Sequence, residues 1–391
     1  MKLNEVAAAM SASGIREIMN AAWGRSDVLH LEVGQPDFPT PPAIAAAADD
    51  AARAGHTGYT PTAGIPELRE ALAEKVRVRN GFAVEPGQVV LGNGGAQAIH
   101  ASMAVLTEPG DGILLPNPAW PNFVMMAELL RLDVAHYGLV AARGYLPDVA
   151  ELERLVTPRT RVLLLNSPSN PLGVAIGREP MTALLDFAAR HDLWVLSDEC
   201  YDQITFDGTA VSPAALDRSS RVVSVFSFSK TYAMTGWRLG YATAPPEVAE
   251  VLAKTQEPLI SCINTPAQYA GLAALTLPSE VLDGMVTAYK QRRDAVVGLL
   301  AELGMTTFRP SGAFYAWVDV RGSGLGSREF ALRLLAEERV AVAPGTAFGS
   351  LGEGFVRVSL AASTQDLTEG CVRIARLWQR LHDDTAAHVA P

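Results

Sequence analysis

Short apolar runs alternate with longer stretches of helical periodicity over about residues 45–275 of this chain. The runs are rich in Val, Leu and Ile, and they predict buried strands because a strand covered on both faces is apolar throughout. The predicted strands are residues 89–91, 113–115, 134–137, 162–165, 194–197, 222–226 and 239–242. Between them the spacing predicts helices such as 66–80, which Gly81 ends, and 179–191. The alternation predicts an α/β fold, a mainly parallel sheet flanked by helices, in which the close spacing of the last strands favours one antiparallel strand.

The pattern changes after about residue 280, where strands become short and are no longer separated regularly by helices. The predicted elements are a helix at 281–303, a strand at 314–318, a helix at 327–338, strands at 340–343 and 355–359, and a final helix. The first 40 residues contain a predicted helix (15–22), a predicted strand (28–33) and a proline-rich turn. We therefore predict an N-terminal arm (1–40) that packs on a smaller α+β domain (281–391), with a large domain (41–280) between them.

Composition narrows the class of protein. The length of 391 residues suggests about two domains, and 49% apolar with 19% charged residues is typical of a folded enzyme. The formal net charge of −10 disfavours a nucleic-acid partner or an anionic membrane surface. The chain has no uninterrupted apolar stretch of about 18 residues, and Glu5 interrupts the region where a signal peptide would be apolar. These features predict a soluble protein with no nucleic-acid or membrane partner.

The three cysteines, Cys200, Cys262 and Cys371, are odd in number and lack the spacing of metal ligands. They predict a reduced, cytoplasmic compartment and no metal site. Cys200 follows Asp198 and Glu199, which suggests a position near a site, but a buried small apolar side chain is the better interpretation because free cysteines are commonly buried.

Lys230 is one of only five lysines and lies in the segment SFSKTYAMTGWRLGY (227–241), directly after a predicted strand. A lysine amine can form a Schiff base, whereas the guanidinium of arginine stays protonated and cannot. From this segment alone, a covalent catalyst and an exposed surface lysine are equally good interpretations.

Polar groups also follow three other predicted strands. The turn GNGGAQAI opens a helix near Gly95 and suits a phosphate, although an ordinary tight turn is the better interpretation of this motif alone. The loop NSPSNPLG follows another strand and presents Asn170, together with an Asn166 that we expect to be structural. Asp198 follows a third strand, where its carboxylate can either bind a protonated ring nitrogen or cap a helix. Because parallel strands end at one edge of the sheet, these groups and Lys230 should meet there. Together they suit a pyridine cofactor that carries an aldehyde and a phosphate.

Almost end to end, the chain resembles the class I/II aminotransferases, pyridoxal-phosphate enzymes of fold type I within the aspartate aminotransferase superfamily. The matching segments are GQPDFPTP (34–41), YTPTAGIPELREAL (59–72), PNPAWPNF (116–123), NSPSNPLG (166–173), SDECY (197–201), SFSKTYAMTGWRLGY (227–241), VAPGTAFG (342–349) and FVRVSLA (355–361). The resemblance implies pyridoxal 5'-phosphate as cofactor, an amino acid and a 2-oxo acid as substrates, and a small domain formed by both chain ends.

By this resemblance Lys230 forms the Schiff base with the cofactor and later carries the α-proton. Asp198 binds the pyridine nitrogen, Asn170 and Tyr201 contact the phenolic oxygen, and Trp120 stacks on the ring. The phosphate group is bound by Gly95, Ala96, Ser227, Ser229 and Arg238, together with Tyr59 of the partner subunit. That last contact implies a homodimer with shared active sites.

The resemblance also implies that Arg357 pairs with the substrate α-carboxylate, with Gly34 and Asn170 as further contacts. Ala96 stands where relatives often carry a hydroxyl, so the phosphate site loses one side-chain hydrogen bond, worth about 1 kcal/mol.

The same motifs also fit a β-lyase, a racemase or an oxidase of this fold type. A cofactor-sensing regulator would need an N-terminal DNA-binding domain, for which 40 residues leave no room. No arginine lies in a recognised position for binding a second substrate carboxylate, which favours neutral, apolar or aromatic amino acids as substrates. Candidates for an apolar substrate pocket are Ile15, Trp120, Ile260 and Phe348, although ordinary core packing is the better interpretation for at least two of them.

Overall fold

A seven-stranded sheet forms the centre of the computed structural model, which describes residues 1–10, 13–208 and 210–389. The strands are β1 (Leu29–His30), β2 (Val89–Gly92), β3 (Gly112–Asn117), β4 (Asp133–Gly138), β5 (Thr160–Asn166), β6 (Trp194–Asp198), β7 (Val222–Ser227), β8 (Gly240–Thr243), β9 (Thr307–Phe308), β10 (Tyr315–Asp319), β11 (Val340–Ala341), β12 (Ala343–Pro344) and β13 (Phe355–Ser359).

The α-helices are α1 (Glu5–Ala9), α2 (Gly14–Ala22), α3 (Pro42–Arg53), α4 (Pro66–Lys75), α5 (Gly94–Leu106), α6 (Asn122–Leu129), α7 (Val149–Leu155), α8 (Arg178–Arg190), α9 (Phe228–Thr231), α10 (Pro246–Ile260), α11 (Thr265–Leu275), α12 (Ser279–Glu302), α13 (Ser327–Arg333) and α14 (Thr364–Val389). Single π-helical turns extend α4 over Val76–Asn80 and α13 over Leu334–Glu338.

The large sheet has the strand order β2-β8-β7-β6-β5-β3-β4. Strands β3 to β7 run parallel to one another, while β8 runs antiparallel to both β2 and β7, as the spacing of the last strands predicts. Every residue of β2, β3, β7 and β8 is buried. Helices cover both faces, so these apolar strands need no alternation of polar and apolar residues.

Helix α4 shows how local sequence sets an element's limits. Pro66 occupies the first turn, where its missing N–H costs nothing, and Leu68 and Leu72 face the core. The following π-helical turn ends at Gly81, which has a left-handed φ of 78°. The predicted helix 66–80 is therefore an α-helix with a π-helical end, closed by the residue type that tolerates this conformation.

The C-terminal region contains a four-stranded antiparallel sheet with the order β12-β13-β10-β9 and a parallel pair formed by β1 and β11. Ile18 and Leu31 lie in one apolar cluster with Val296 and Ile374, so α2 and the segment around β1 pack on the C-terminal region. The three-part division of the chain into domains stays a prediction.

Three details of the prediction differ. The strand expected at 28–33 is only β1, because the Leu31 carbonyl accepts from Ser359 N and the Glu32 carbonyl accepts from Arg357 instead of continuing the ladder. The strand expected at 340–343 is two short strands, β11 and β12, which belong to different sheets. Helix α1, capped by the Asn4 side chain, was not predicted from the short alanine run.

Across the part of the chain that the structure describes, no helix combines the length and apolar content needed to cross a membrane. Cys200, Cys262 and Cys371 are all free.

Candidate active site

A cavity of about 1070 Å³ opens at the carboxyl edge of the large sheet. Neighbouring strands β5, β6 and β7 are in register there, with Asn166 opposite Asp198 and Asp198 opposite Val225. Twelve of the thirteen residues predicted for the site line this cavity: Gly34, Gly95, Ala96, Trp120, Asn170, Asp198, Tyr201, Ser227, Ser229, Lys230, Arg238 and Arg357. Segments up to about 320 residues apart in sequence therefore meet at one edge of the sheet.

Lys230 lies on the short helix α9 that follows β7, and its amine faces the cavity. Ser227 starts this helix, with its Oγ accepting a hydrogen bond of 3.1 Å from Ser229 N. The Lys230 Nζ donates to the Gly34 carbonyl at 2.6 Å. Burial, opposed in part by Cys200 and assisted by the positive charges of Arg357 and Arg238, lowers the pKa of Lys230 to about 8. A considerable fraction of the amine is thus neutral near physiological pH.

Asp198 ends β6 and is 5% exposed. Burial raises the pKa of its carboxyl, although a hydrogen bond of 3.0 Å from Cys200 N stabilises the charged form. The backbone around it is held by Asn166, whose Nδ2 donates to the Asp198 carbonyl at 3.1 Å and whose Oδ1 accepts from Asn170 N at 2.8 Å. Asn166 therefore has the structural role that its turn predicts.

The glycine-rich turn leads into α5, whose N-cap residue Asn93 makes no side-chain cap. Gly94 has φ of +77°, and a Cβ there would lie 2.3 Å from a guanidinium nitrogen of Arg238. Arg238 itself is held by the carbonyls of Thr235 (2.8 Å) and Asn93 (3.3 Å). A helix start without a side-chain cap, beside a fixed guanidinium, suits an anion.

Glycine is required next to it for a different reason. A Cβ at Gly95 would lie 2.7 Å from Cys200 Sγ, on the loop that follows β6. Cys200 is partly buried against an apolar cluster and also lines the cavity, so each of the two sequence-based interpretations describes one side of this residue.

Arg357 lies on β13 and is 2% exposed. Its Nη1 donates to Asn170 Oδ1 at 2.9 Å, and its Nη2 donates to the Glu32 carbonyl. Its Nε is buried without a hydrogen-bond partner, and burial lowers the pKa of the guanidinium. A buried guanidinium nitrogen without a partner is costly, so this face of Arg357 suits a carboxylate ligand.

Sequence reasoning missed Tyr315, on β10, which lines the same cavity and is 1% exposed. Its hydroxyl lies 2.7 Å from the Tyr201 hydroxyl, and the Arg357 guanidinium lies over its ring, 4.3 Å from the centroid. Tyr315 belongs to an apolar strand, FYAWV, so nothing in its local pattern distinguishes it from a core aromatic residue.

Other cavity residues were also missed: Arg16, Met19 and Trp23 of the N-terminal region, together with the pair His30 and Glu32. His30 Nδ1 lies 3.0 Å from a carboxylate oxygen of the buried Glu32. These residues lie in the predicted N-terminal arm, and no motif in their local sequence indicates that they would face the cavity.

Tyr59 is the one predicted site residue that does not line the cavity, and it is 91% exposed. Of the candidates for an apolar substrate pocket, Ile15 and Trp120 line the cavity. Phe348 packs beneath Arg357, with 4.9 Å between the guanidinium and the ring centroid, and Ile260 packs in a separate core at the end of α10. Core packing thus accounts for two of the four.

Comparison with known proteins gives consistent matches. Residues 26–374 match the family described as Aminotransferase class I and II. The chain is 36% identical to Aromatic-amino-acid aminotransferase 2 of Thermococcus litoralis over 385 residues, which cover 96% of this chain and 98% of that protein. It is 38% identical to an arginine–pyruvate transaminase of Pseudomonas aeruginosa, with 89% of each chain covered. The solved structure of Thermus thermophilus aspartate aminotransferase with maleate is similar, with a TM-score of 0.92, 36% identity, and coverage of 96% and 100%.

Proposed function

This chain belongs to the class I and II aminotransferases and exchanges an amino group between an amino acid and a 2-oxo acid; on that premise, we propose that Lys230 holds pyridoxal 5'-phosphate in the cavity described above. The observation that carries the proposal is the position of Lys230 beside Asp198, Arg238 and Arg357 in one cavity.

The residues present fit this cofactor. The buried Asp198 carboxyl needs a cationic partner, which a protonated pyridine nitrogen would be. The uncapped start of α5 and the Arg238 guanidinium suit the phosphate, and glycines at 94 and 95 leave the space that a Cβ would fill. When bound, the cofactor supplies an aldehyde carbon that an amine attacks and a protonated ring that withdraws electrons from the α-carbon.

The protein's own groups then have separate tasks. The neutral Lys230 amine would be the nucleophile that holds the cofactor and, when free, the base that moves the α-proton. The buried Asp198 carboxylate would keep the ring nitrogen protonated, because a negative charge next to that nitrogen stabilises its protonated form. Arg357, held by Asn170, would orient the substrate carboxylate, and the Tyr201 hydroxyl would hold the phenolic oxygen of the cofactor.

Substrate choice is proposed from the rest of the cavity lining. Ile15, Met19, Trp23 and Trp120 supply apolar surface, which supports neutral, apolar or aromatic amino acids. One observation favours a second candidate class: Arg16, an exposed guanidinium whose Nη1 contacts Met19 Sδ at 3.6 Å, lines the same cavity and could pair with a side-chain carboxylate.

Two experiments test the proposal. Borohydride reduction of the cofactor-loaded protein followed by peptide mapping should place the label on Lys230, and a label on Lys254, or no label, would exclude that assignment. Single-turnover reactions with a panel of amino acids, followed by visible absorbance, should convert the cofactor with phenylalanine or leucine faster than with aspartate. If aspartate alone reacts, and Arg16→Met abolishes that reaction, the second substrate class is correct.

The reaction type has its own control. Transamination releases no ammonia when the acceptor oxo acid is absent, whereas elimination and oxidation do, so an ammonia assay distinguishes them. We also propose that the protein works as a homodimer in the cytoplasm, supported by the exposed Tyr59 and the three free cysteines.

A further inference from the structure

Tyr315 contacts three groups of the site at once. Its hydroxyl lies 2.7 Å from that of Tyr201, and its ring lies under the guanidinium of Arg357. A Cβ at Gly34 would lie 2.0 Å from Tyr315 Oη, so the hydroxyl reaches Gly34 only because residue 34 has no side chain. Gly34 in turn accepts the hydrogen bond from Lys230.

From this geometry we infer that Tyr315 is a positioning residue, which sets the Tyr201 hydroxyl toward the cofactor and supports Arg357 beneath the substrate carboxylate. The inference rests on the proposed function of the site. Tyr315, a residue of the small sheet, would thus position both Tyr201, which acts on the cofactor, and Arg357, which acts on the substrate.

The contact between the two hydroxyls supports the inference that Tyr315 positions Tyr201. Tyr201 and Tyr315 are 4% and 1% exposed, and burial raises the pKa of both phenols, so both keep their protons. A hydroxyl has one proton to donate, so a Tyr201 that donates to the cofactor can only be the acceptor in its hydrogen bond with Tyr315. Tyr315 lies where it can donate that bond. Hydrogen bonds in a chain polarise each other, which makes Tyr201 a stronger donor.

The position of the Tyr315 ring supports the inference that this residue stabilises Arg357. Arg357 is buried and has no carboxylate within ion-pair distance among the described residues. The face of an aromatic ring 4.3 Å from the guanidinium carbon offsets part of that lost solvation. Phenylalanine at 315 would keep this contact and lose only the hydroxyl, so the two roles can be separated by mutation.

The first test uses the visible absorbance of the cofactor-loaded protein as a function of pH, which reports protonation of the lysine-bound cofactor without turnover. Tyr315→Phe weakens the donor at the phenolic oxygen and should raise the absorbance midpoint by about half a pH unit. Tyr289→Phe is the matched control, since Tyr289 lies buried in the same apolar cluster with a hydroxyl that has no hydrogen-bond partner, and its midpoint should equal wild type.

A double-mutant cycle makes this test specific. In a Tyr201→Phe background the second substitution, Tyr315→Phe, should shift the midpoint no further, because it acts through the Tyr201 hydroxyl. Additive shifts, or an unchanged midpoint in Tyr315→Phe, would overturn the inference. Failure of the wild-type protein to show any cofactor absorbance would instead refute the proposed function.

The second test measures the Kd of a non-reacting carboxylate, 3-phenylpropionate, for the cofactor-loaded protein. Tyr315→Phe should bind it within about twofold of wild type, whereas Tyr315→Leu, which removes the ring beneath Arg357, should bind it about tenfold more weakly. Equal affinities of the Phe and Leu variants would contradict a supporting role for the ring.

Discussion

At the scale of single residues, the chemistry depends on removing charged groups from water. Burial is the largest cause of the lowered pKa values of Lys230 and Arg357 and of the raised pKa of Asp198. Because these groups are shielded from water, each of them can interact strongly with a charged group of a bound ligand. We therefore expect these residues to set the pH dependence and the charge specificity of the protein.

The lowered pKa of Lys230 predicts how cofactor binding depends on pH. Only the neutral amine attacks an aldehyde, and the pKa falls from its ordinary 10.5 to about 8. The rate of Lys230 modification by pyridoxal 5'-phosphate in the cofactor-free protein should rise about tenfold per pH unit below pH 8 and level off above it. Stopped-flow absorbance measures this rate, and a midpoint near 10.5 would show that burial does not act on the amine.

Arg357 should be sensitive even to a conservative change. Arg357→Lys keeps the charge but loses the planar pair of donors that matches a carboxylate, so kcat/KM for the amino acid should fall about 100-fold. Cofactor content, measured by absorbance at constant protein concentration, serves as the control and should not change. An Arg357→Lys variant with wild-type kcat/KM would remove Arg357 from the substrate site.

At the scale of elements, the site depends on how closely the start of α5 approaches the loop after β6. The contact is set by Gly95 on one side and Cys200 Sγ on the other, where a Cβ would lie 2.7 Å from the sulfur. Helix starts bind anions through backbone N–H groups, so any side chain that moves this helix start changes the phosphate site.

This contact predicts a pair of compensating mutations. Gly95→Ala should displace the start of α5 and speed cofactor loss about tenfold or more, corresponding to about 1–3 kcal/mol of overpacking. Cys200→Ala in the same chain removes the sulfur and should restore most of the retention. Dialysis followed by absorbance measures the loss; a double variant no better than Gly95→Ala would show that the sulfur is not the obstacle.

At the scale of the whole molecule, the small sheet and the chain's N-terminal residues contribute as much to the cavity as the large sheet does. Gly34, Tyr315 and Arg357 come from these parts, while Lys230 and Asp198 come from the large sheet. A movement of one part against the other would change the distance between the substrate carboxylate and the lysine. The exposed Tyr59 adds the expected contribution of a second subunit.

Shared sites predict complementation between two defective variants. Lys230→Ala lacks the amine, and Tyr59→Ala lacks the side chain that a partner subunit would receive. A hybrid dimer should contain one complete site, so an equimolar, randomised mixture should recover about a quarter of the wild-type activity. Activity after mixed refolding measures this, and no recovery despite confirmed hybrid dimers would show that Tyr59 does not act across the interface.

The sequence pattern by itself determined the strands of the large sheet, their alternation with helices, the antiparallel strand and the meeting of Gly95, Asn170, Asp198 and Lys230 at one edge of that sheet. It could do so because buried strands and glycine turns are specified by neighbouring residues, and because strand ends of a parallel sheet must meet. Other predicted cavity residues, such as Gly34, Trp120 and Arg357, came from the family resemblance. Only the tertiary structure decided that Tyr315, Glu32 and Cys200 also face the cavity, and that Ile260 and Phe348 do not. Their positions depend on how distant segments pack, and an apolar strand or a short arm carries no local sign of which side chain will meet a charged group.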